Sequence, residues 1–142
     1  MRTLIVILAL AGLLVSCFAL REHYREGAAP CDINSTWDCG VVNHSPYAEF
    51  PPPPFRQPDT KGVPIAIVGI LGYAAIATSA FFKRWWLVLL LTTGAVGFSI
   101  YLTYIEARVL EVYCVWCVTS AGIVALTEIA SIAAVVRNRK RA

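Results

Sequence analysis

Tyr113-Cys114-Val115-Trp116-Cys117 stands at the mouth of an apolar run that continues from Val118 to Val136 with one ionisable residue, Glu128. Two thiols three positions apart on a helix lie on nearly the same face, near enough to form a disulfide or bind a metal. At a helix N-terminus, unpaired N–H groups and aligned peptide dipoles stabilise a thiolate. A run this long can cross a hydrocarbon core of roughly 30 Å. In a membrane, the pair stands where aqueous thiol chemistry meets a reactant dissolved in lipid.

The rest of the chain has the composition such a placement requires. Of its 142 residues 58% are hydrophobic and 15% charged, against roughly 25% charged in an average soluble domain. The charges fall in short blocks between four apolar segments at about 3–20, 63–82, 85–105 and 113–136. The expected fold is all-α, an integral membrane four-helix bundle in one domain, 1–142, with an external cysteine loop at 21–62 and a tail at 137–142. The net charge of +3 needs no nucleic acid to explain it, because the excess sits at segment ends.

Each segment carries its own punctuation. Leu14-Val15-Ser16-Cys17 resembles a lipobox, but the apolar run continues past Cys17 through Phe18-Ala19-Leu20, which favours an uncleaved helix with Cys17 as a small apolar residue. Pro64 suits a first helical turn, and Gly69 and Gly72 offer a surface for close helix approach. Trp85-Trp86 at one end and Tyr101 and Tyr104 at the other read as interfacial aromatics, and Glu106 to Glu111 as a short charged link. Arg21 to Ala29 reads as a solvated helix or linker, Asn34-Ser35-Thr36 as a turn that also fits a glycosylation pattern, and Pro51 to Pro54 as an extended spacer. Arg2, Lys83, Arg84, Arg137, Arg139, Lys140 and Arg141 fall on one side of four crossings, so both termini are expected in the cytoplasm and the cysteine loop in the periplasm.

That topology brings Cys31, Cys39, Cys114 and Cys117 to one oxidising side. A four-cysteine zinc site is disfavoured, because Cys31 and Cys39 are too far apart for a second knuckle. A static disulfide suits Cys31–Cys39, yet a bridge across two residues at Cys114–Cys117 constrains an unfolded chain little. The preferred reading is a relay. A mobile, proline-tethered loop pair exchanges with soluble thiols and then with the membrane-edge pair, which passes electrons to a quinone, the two-electron carrier of the hydrocarbon.

Cys31 and Cys39, Ser45 six residues on, and Cys114-Val-Trp-Cys117 opening the fourth helix resemble the vitamin K epoxide reductase family. Ser45-Pro-Tyr-Ala, Gly62-Val-Pro and Gly69-x-x-Gly72-Tyr73 resemble its bacterial branch. The resemblance implies a bundle in the bacterial inner membrane around a central quinone pocket, capped by the long loop. It implies Cys31 as the outer loop cysteine, Cys39 as the one that passes electrons to Cys114, Cys117 facing the quinone, and Ser45 near both. The quinone, ubiquinone or menaquinone, is a co-substrate, and no metal is implied. Bacterial members are often fused to a thioredoxin-like domain; with the sequence ending at Ala142, a separate thioredoxin-fold partner of the disulfide-bond protein A type is expected. Vertebrate members place an asparagine and a tyrosine where this sequence has Ile65 and Ala121, which favours quinone reduction over reduction of vitamin K epoxide. Ala121, one turn past Cys117, is expected in the pocket wall.

The alternatives are a four-span scaffold with static disulfides, a vitamin K epoxide reductase proper, and the chemistry of the disulfide-bond protein B group, which carries its Cys-x-x-Cys in the first external loop. Glu128 reads as a hydrogen-bonded structural acid or a proton relay. His23 and His44 read as solvated loop residues, with His44 a possible proton acceptor beside Ser45.

Overall fold

The computed structural model describes residues 1–142. Four long helices, α1 (Arg2–His23), α3 (Ile65–Phe81), α4 (Trp85–Ile105) and α5 (Val115–Arg141), form a bundle. Between α1 and α3 lie the short helix α2 (Cys39–Asn43), a 3₁₀ turn at Pro46–Ala48, and a two-stranded antiparallel ribbon of β1 (Glu49–Phe50) and β2 (Val63–Pro64). The fold is all-α in its architecture. Helix α1 packs on α3 and α5, and α4 packs on α3 and α5, closing a ring of four.

Three helical stretches, Arg2–His23, Trp85–Leu110 and Val115–Arg141, are long and apolar enough to cross a membrane. Helix α3 has 17 residues and is equally apolar; at 1.5 Å per residue it covers about 26 Å. Leu10, Leu71, Leu90, Ile100 and Ile129 are exposed on the outside. In water such a shell is a liability, whereas in hydrocarbon it is the matched surface, so the bundle fits an integral membrane protein.

Helices α1 and α3 approach most closely where side chains are absent. A Cβ added to Gly12 would lie 2.2 Å from the Tyr73 ring, and one on Gly69 would lie 2.8 Å from Ser16 Oγ. Gly72, expected at the same contact, instead has nothing within 4 Å. The Tyr73 ring is buried, and its hydroxyl bonds the Ser120 carbonyl at 3.0 Å and the Ser120 hydroxyl at 2.9 Å, tying α3 to α5. Helices α4 and α5 share a polar tie. Thr92 and Thr93 both donate to the Glu128 carboxyl, the latter at 2.8 Å, which assigns this intramembrane acid a structural partner set. One end of the bundle gathers Arg2, Arg137, Asn138 and Arg141 around Trp85.

Three local expectations change. Glu106 to Glu111 is no solvated link: α4 continues into a π turn over Glu106–Leu110, which ends at Glu111 in the left-handed region (φ 55). Arg21 to His23 belong to α1, and Glu22 is 5% exposed. The proline stretch turns back on itself, with the Phe55 N–H on the Pro52 carbonyl at 3.0 Å. Its ends are held by the ribbon and by Glu49, which accepts from Arg56 and from the Gly62 N–H. It is a closed loop, not an extended spacer.

Gly12→Ala is expected to destabilise the bundle by about 1–3 kcal/mol, because Tyr73 must leave its pocket. Gly122→Ala, where an added Cβ meets nothing within 4 Å, is its control. Thermal unfolding in detergent should show a lowered midpoint for the first and none for the second.

Candidate functional site

The loop is docked to the bundle by backbone pairing beside the Cys-x-x-Cys. Tyr113 N–H donates to the Thr36 carbonyl at 2.8 Å, and Asp38 N–H to the Tyr113 carbonyl at 3.0 Å. The Trp37 and Tyr113 rings pack at 5.5 Å. The approach to this pairing is shaped by Asn34, whose side-chain oxygen accepts from the Thr36 and Trp37 N–H groups at 2.9 and 3.0 Å. Asp38 then caps α2, accepting from the Val41 N–H at 3.0 Å. Cys39 is the first residue of α2 and Cys114 the N-cap of α5, so one pairing seats both.

Cys31 and Cys39 form a disulfide with Cα atoms 5.9 Å apart, and Cys114 and Cys117 are thiols. Ala29, Cys31, Cys39, Val42 and Cys114 make one buried cluster, with Trp116 and Cys117 packed against it. Cys39 and Cys114 are wholly buried, whereas Cys31 keeps 8% exposure. Asn43, also buried, bridges the two pairs: its side-chain amide donates to the Cys39 carbonyl at 2.9 Å and to Cys114 Sγ at 3.5 Å. Cys31, Cys39 and Cys114 thus share one buried cluster, with Cys117 packed against it.

Beyond Cys117 lies a cavity of about 340 Å³ between the four helices and the loop, within the range of small-molecule sites. Its wall is mostly apolar and includes Cys117, Trp116, Ser45, Asn43, His23 and Glu106. Ser45 lines it with its hydroxyl donating to the Val42 carbonyl at 2.8 Å. Ile65 also lines it, and Ala121 does not. On a helix of about 100° per residue, Trp116, Ser120 and Val124 lie on one side of Cys117 and face the cavity, and Ala121 lies on the other. Ser120 takes the place expected for Ala121.

Three polar residues were missed or misread in the sequence. Glu106, expected in a solvated link, is 3% exposed; its carboxylate accepts the Cys114 N–H at 3.3 Å and lies beside the Cys117 thiol. The π turn that begins at Glu106 has no periodic signature and could not be read in advance. Asn43 was not singled out in the sequence. His23 is no solvated residue: its ring Nδ1 lies 2.7 Å from the Asn43 carbonyl, and its ring stands 6.4 Å from His44. His44 itself is exposed and contacts the Gly40 carbonyl at 2.7 Å.

Asp32 folds the cysteine loop on itself, accepting the Ala29 N–H at 2.5 Å and the Gly40 N–H at 3.1 Å. Burial works to raise its pKa, but these hydrogen bonds, with others from Asp38 and the Cys39 backbone, together hold the carboxyl below its usual value. Cys31, Asp32 and Cys39 place three donor atoms within 4.8 Å; both sulfurs are in the disulfide and offer no thiolate to a metal.

The sequence matches the family model described as Vitamin K epoxide reductase family over residues 3–132, which takes in α3, α4, nearly all of α1, most of α5, the loop, and both cysteine pairs.

The Asp32 hydrogen bonds make a pH prediction. A carboxyl whose folded pKa is depressed contributes stability above its unfolded value of roughly 4, and loses it as pH falls through the folded value. Reduction of Cys31–Cys39 by a phosphine, measured relative to an unstructured disulfide peptide, should be level from pH 7 to about 4 and accelerate below it. Asp32→Ala should accelerate it about tenfold at neutral pH, the size of one charge-assisted hydrogen bond, and flatten the acid step.

Proposed function

This chain belongs to the vitamin K epoxide reductase family, a family of oxidoreductases, and from that premise we propose that it oxidises the dithiol of a thioredoxin-fold protein and reduces a membrane quinone, ubiquinone or menaquinone. The observation that carries the reading is the position of Cys117. It lies on the wall of the interhelical cavity, while its pair mate Cys114 packs against Cys39 in the loop cluster.

The cavity's chemistry fits a quinone head. Its wall is apolar apart from a few polar groups, and the Trp116 Nε1–H is buried without a partner, a donor matched to a ring carbonyl. The quinone supplies a two-electron acceptor; the chain's residues do the rest. A partner thiolate attacks Cys31, the less buried residue of the loop disulfide, and the partner leaves as a disulfide. Cys39 then attacks Cys114 of an oxidised Cys114–Cys117 pair, releasing Cys117, and Cys31 closes again on Cys39. The outcome is the bonding described above, with Cys31–Cys39 joined and Cys114 and Cys117 as thiols, loaded for the quinone. Cys114, as N-cap of α5, sits by first-turn N–H groups that favour its thiolate as attacker and leaving group. Ser45 and Ser120 are the wall hydroxyls beside this chemistry.

The gathering of Arg2, Arg137 and Arg141 at the bundle end opposite the cysteine loop supports cytoplasmic termini and a periplasmic loop.

Purified protein supplied with a small dithiol and a short-chain quinone should produce quinol. Cys117→Ala should lower turnover at least about 100-fold with the bundle folded, and unchanged turnover would refute the relay. Cys31→Ala should impair oxidation of a thioredoxin-fold protein far more than oxidation of the small dithiol.

A further inference from the structure

Glu106 has a position that neither the bundle's stability nor the thiol relay as stated explains. It is 3% exposed, and no lysine, arginine or histidine pairs with it. Glu128, the other acid at membrane depth, is fully engaged by Thr92 and Thr93. Glu106 accepts the Cys114 N–H, and its carboxyl shares the cavity wall with Cys117 and lies within hydrogen-bonding reach of that thiol. A π turn in place of regular helix carries it there, an irregularity that recurs at functional sites. A buried, unpaired carboxyl is costly unless it is protonated for part of its working life.

We propose that Glu106 is the proton carrier between the Cys114–Cys117 dithiol and the quinone in the cavity. This rests on the quinone-reduction reading above. In that reaction two S–H bonds break and one S–S bond forms. The two electrons and both protons pass to the quinone, where two O–H bonds form. A thiol is a poor reductant until its proton leaves, and quinone oxygens must gain protons as electrons arrive. Glu106 takes the Cys117 proton as the thiolate engages the quinone, gives it to a quinone oxygen, and repeats the transfer for Cys114 as the disulfide closes. No proton is exchanged with bulk water, which suits a site walled by hydrocarbon. The Cys114 N–H holds one oxygen of this carboxylate at 3.3 Å, at the N-cap of the helix that carries both sulfurs.

The test uses Glu106→Gln and Glu106→Asp in the full chain. Glutamine keeps an acceptor for the Cys114 N–H but carries no proton between groups. Glu106→Gln should lower kcat for quinone reduction about 100-fold or more, in the range of general acid–base catalysis, with KM for quinone within about twofold and the solvent deuterium isotope effect altered. Glu106→Asp should recover kcat to within about tenfold of wild type. A Glu106→Gln kcat within about threefold of wild type, or Glu106→Asp no faster than Glu106→Gln, overturns the assignment. A second measurement needs no quinone. In a Cys114→Ser background, alkylation of Cys117 by an apolar maleimide should slow at least about tenfold on Glu106→Gln, and equal rates overturn the assignment. Wild-type protein that reduces no quinone, yet shows this alkylation difference, overturns the quinone reading and leaves Glu106 as a base for Cys117.

Discussion

Everything in this site depends on a short backbone pairing, Thr36 to Asp38 against Tyr113. Disulfide exchange requires one sulfur to reach another in line, so a relay works only where two cysteine pairs are held in contact. Cys39 follows Trp37 by two residues and Cys114 follows Tyr113 directly, so this pairing sets the separation of the two sulfurs within narrow limits. The Asn43 amide then spans the Cys39 carbonyl and the Cys114 sulfur. Losing the pairing would free a loop that is otherwise held by α2, the ribbon and one ion pair.

The bundle around this contact is built for two solvents. Outside, exposed leucine, isoleucine and phenylalanine meet hydrocarbon; inside, small residues let helices α1 and α3 meet across Gly12 and Gly69. Polar groups within the bundle are handled in two ways. Glu128 is matched to hydroxyls on the facing helix, and Tyr73 to Ser120, which fixes helix positions. Glu106 and Trp116 instead line the cavity, and the buried Trp116 N–H has no protein partner.

Much of this was legible in the sequence, for physical reasons. Four apolar runs separated by charged blocks leave few options but a helical membrane bundle, because backbone groups in lipid must pair within their own segment. The cysteine spacing with Ser45 pointed to the family, and Cys117 and Ser45 line one cavity. What was not legible depends on where a helix ends and which way it faces. Glu106 looked like part of a charged link because a π turn carries no sequence period. Ala121 looked like pocket wall because a four-residue spacing was taken to share Cys117's face, while the cavity lies toward Ser120. The proline run looked like an extended spacer because proline stiffness says nothing of the Glu49–Arg56 contact and the ribbon that close it.

The central claim is that Cys114 and Cys117 form the pair that meets the quinone. Its most direct test is a single turnover. Fully reduced protein is mixed with one equivalent of a short-chain quinone, quinol is followed by absorbance, and the first disulfide formed is mapped by mass spectrometry after acid quench. The account predicts one quinol for each two thiols lost, with the earliest bond at Cys114–Cys117 and Cys31–Cys39 forming after it. A first bond at Cys31–Cys39, or thiols unchanged in the presence of quinone, would contradict it.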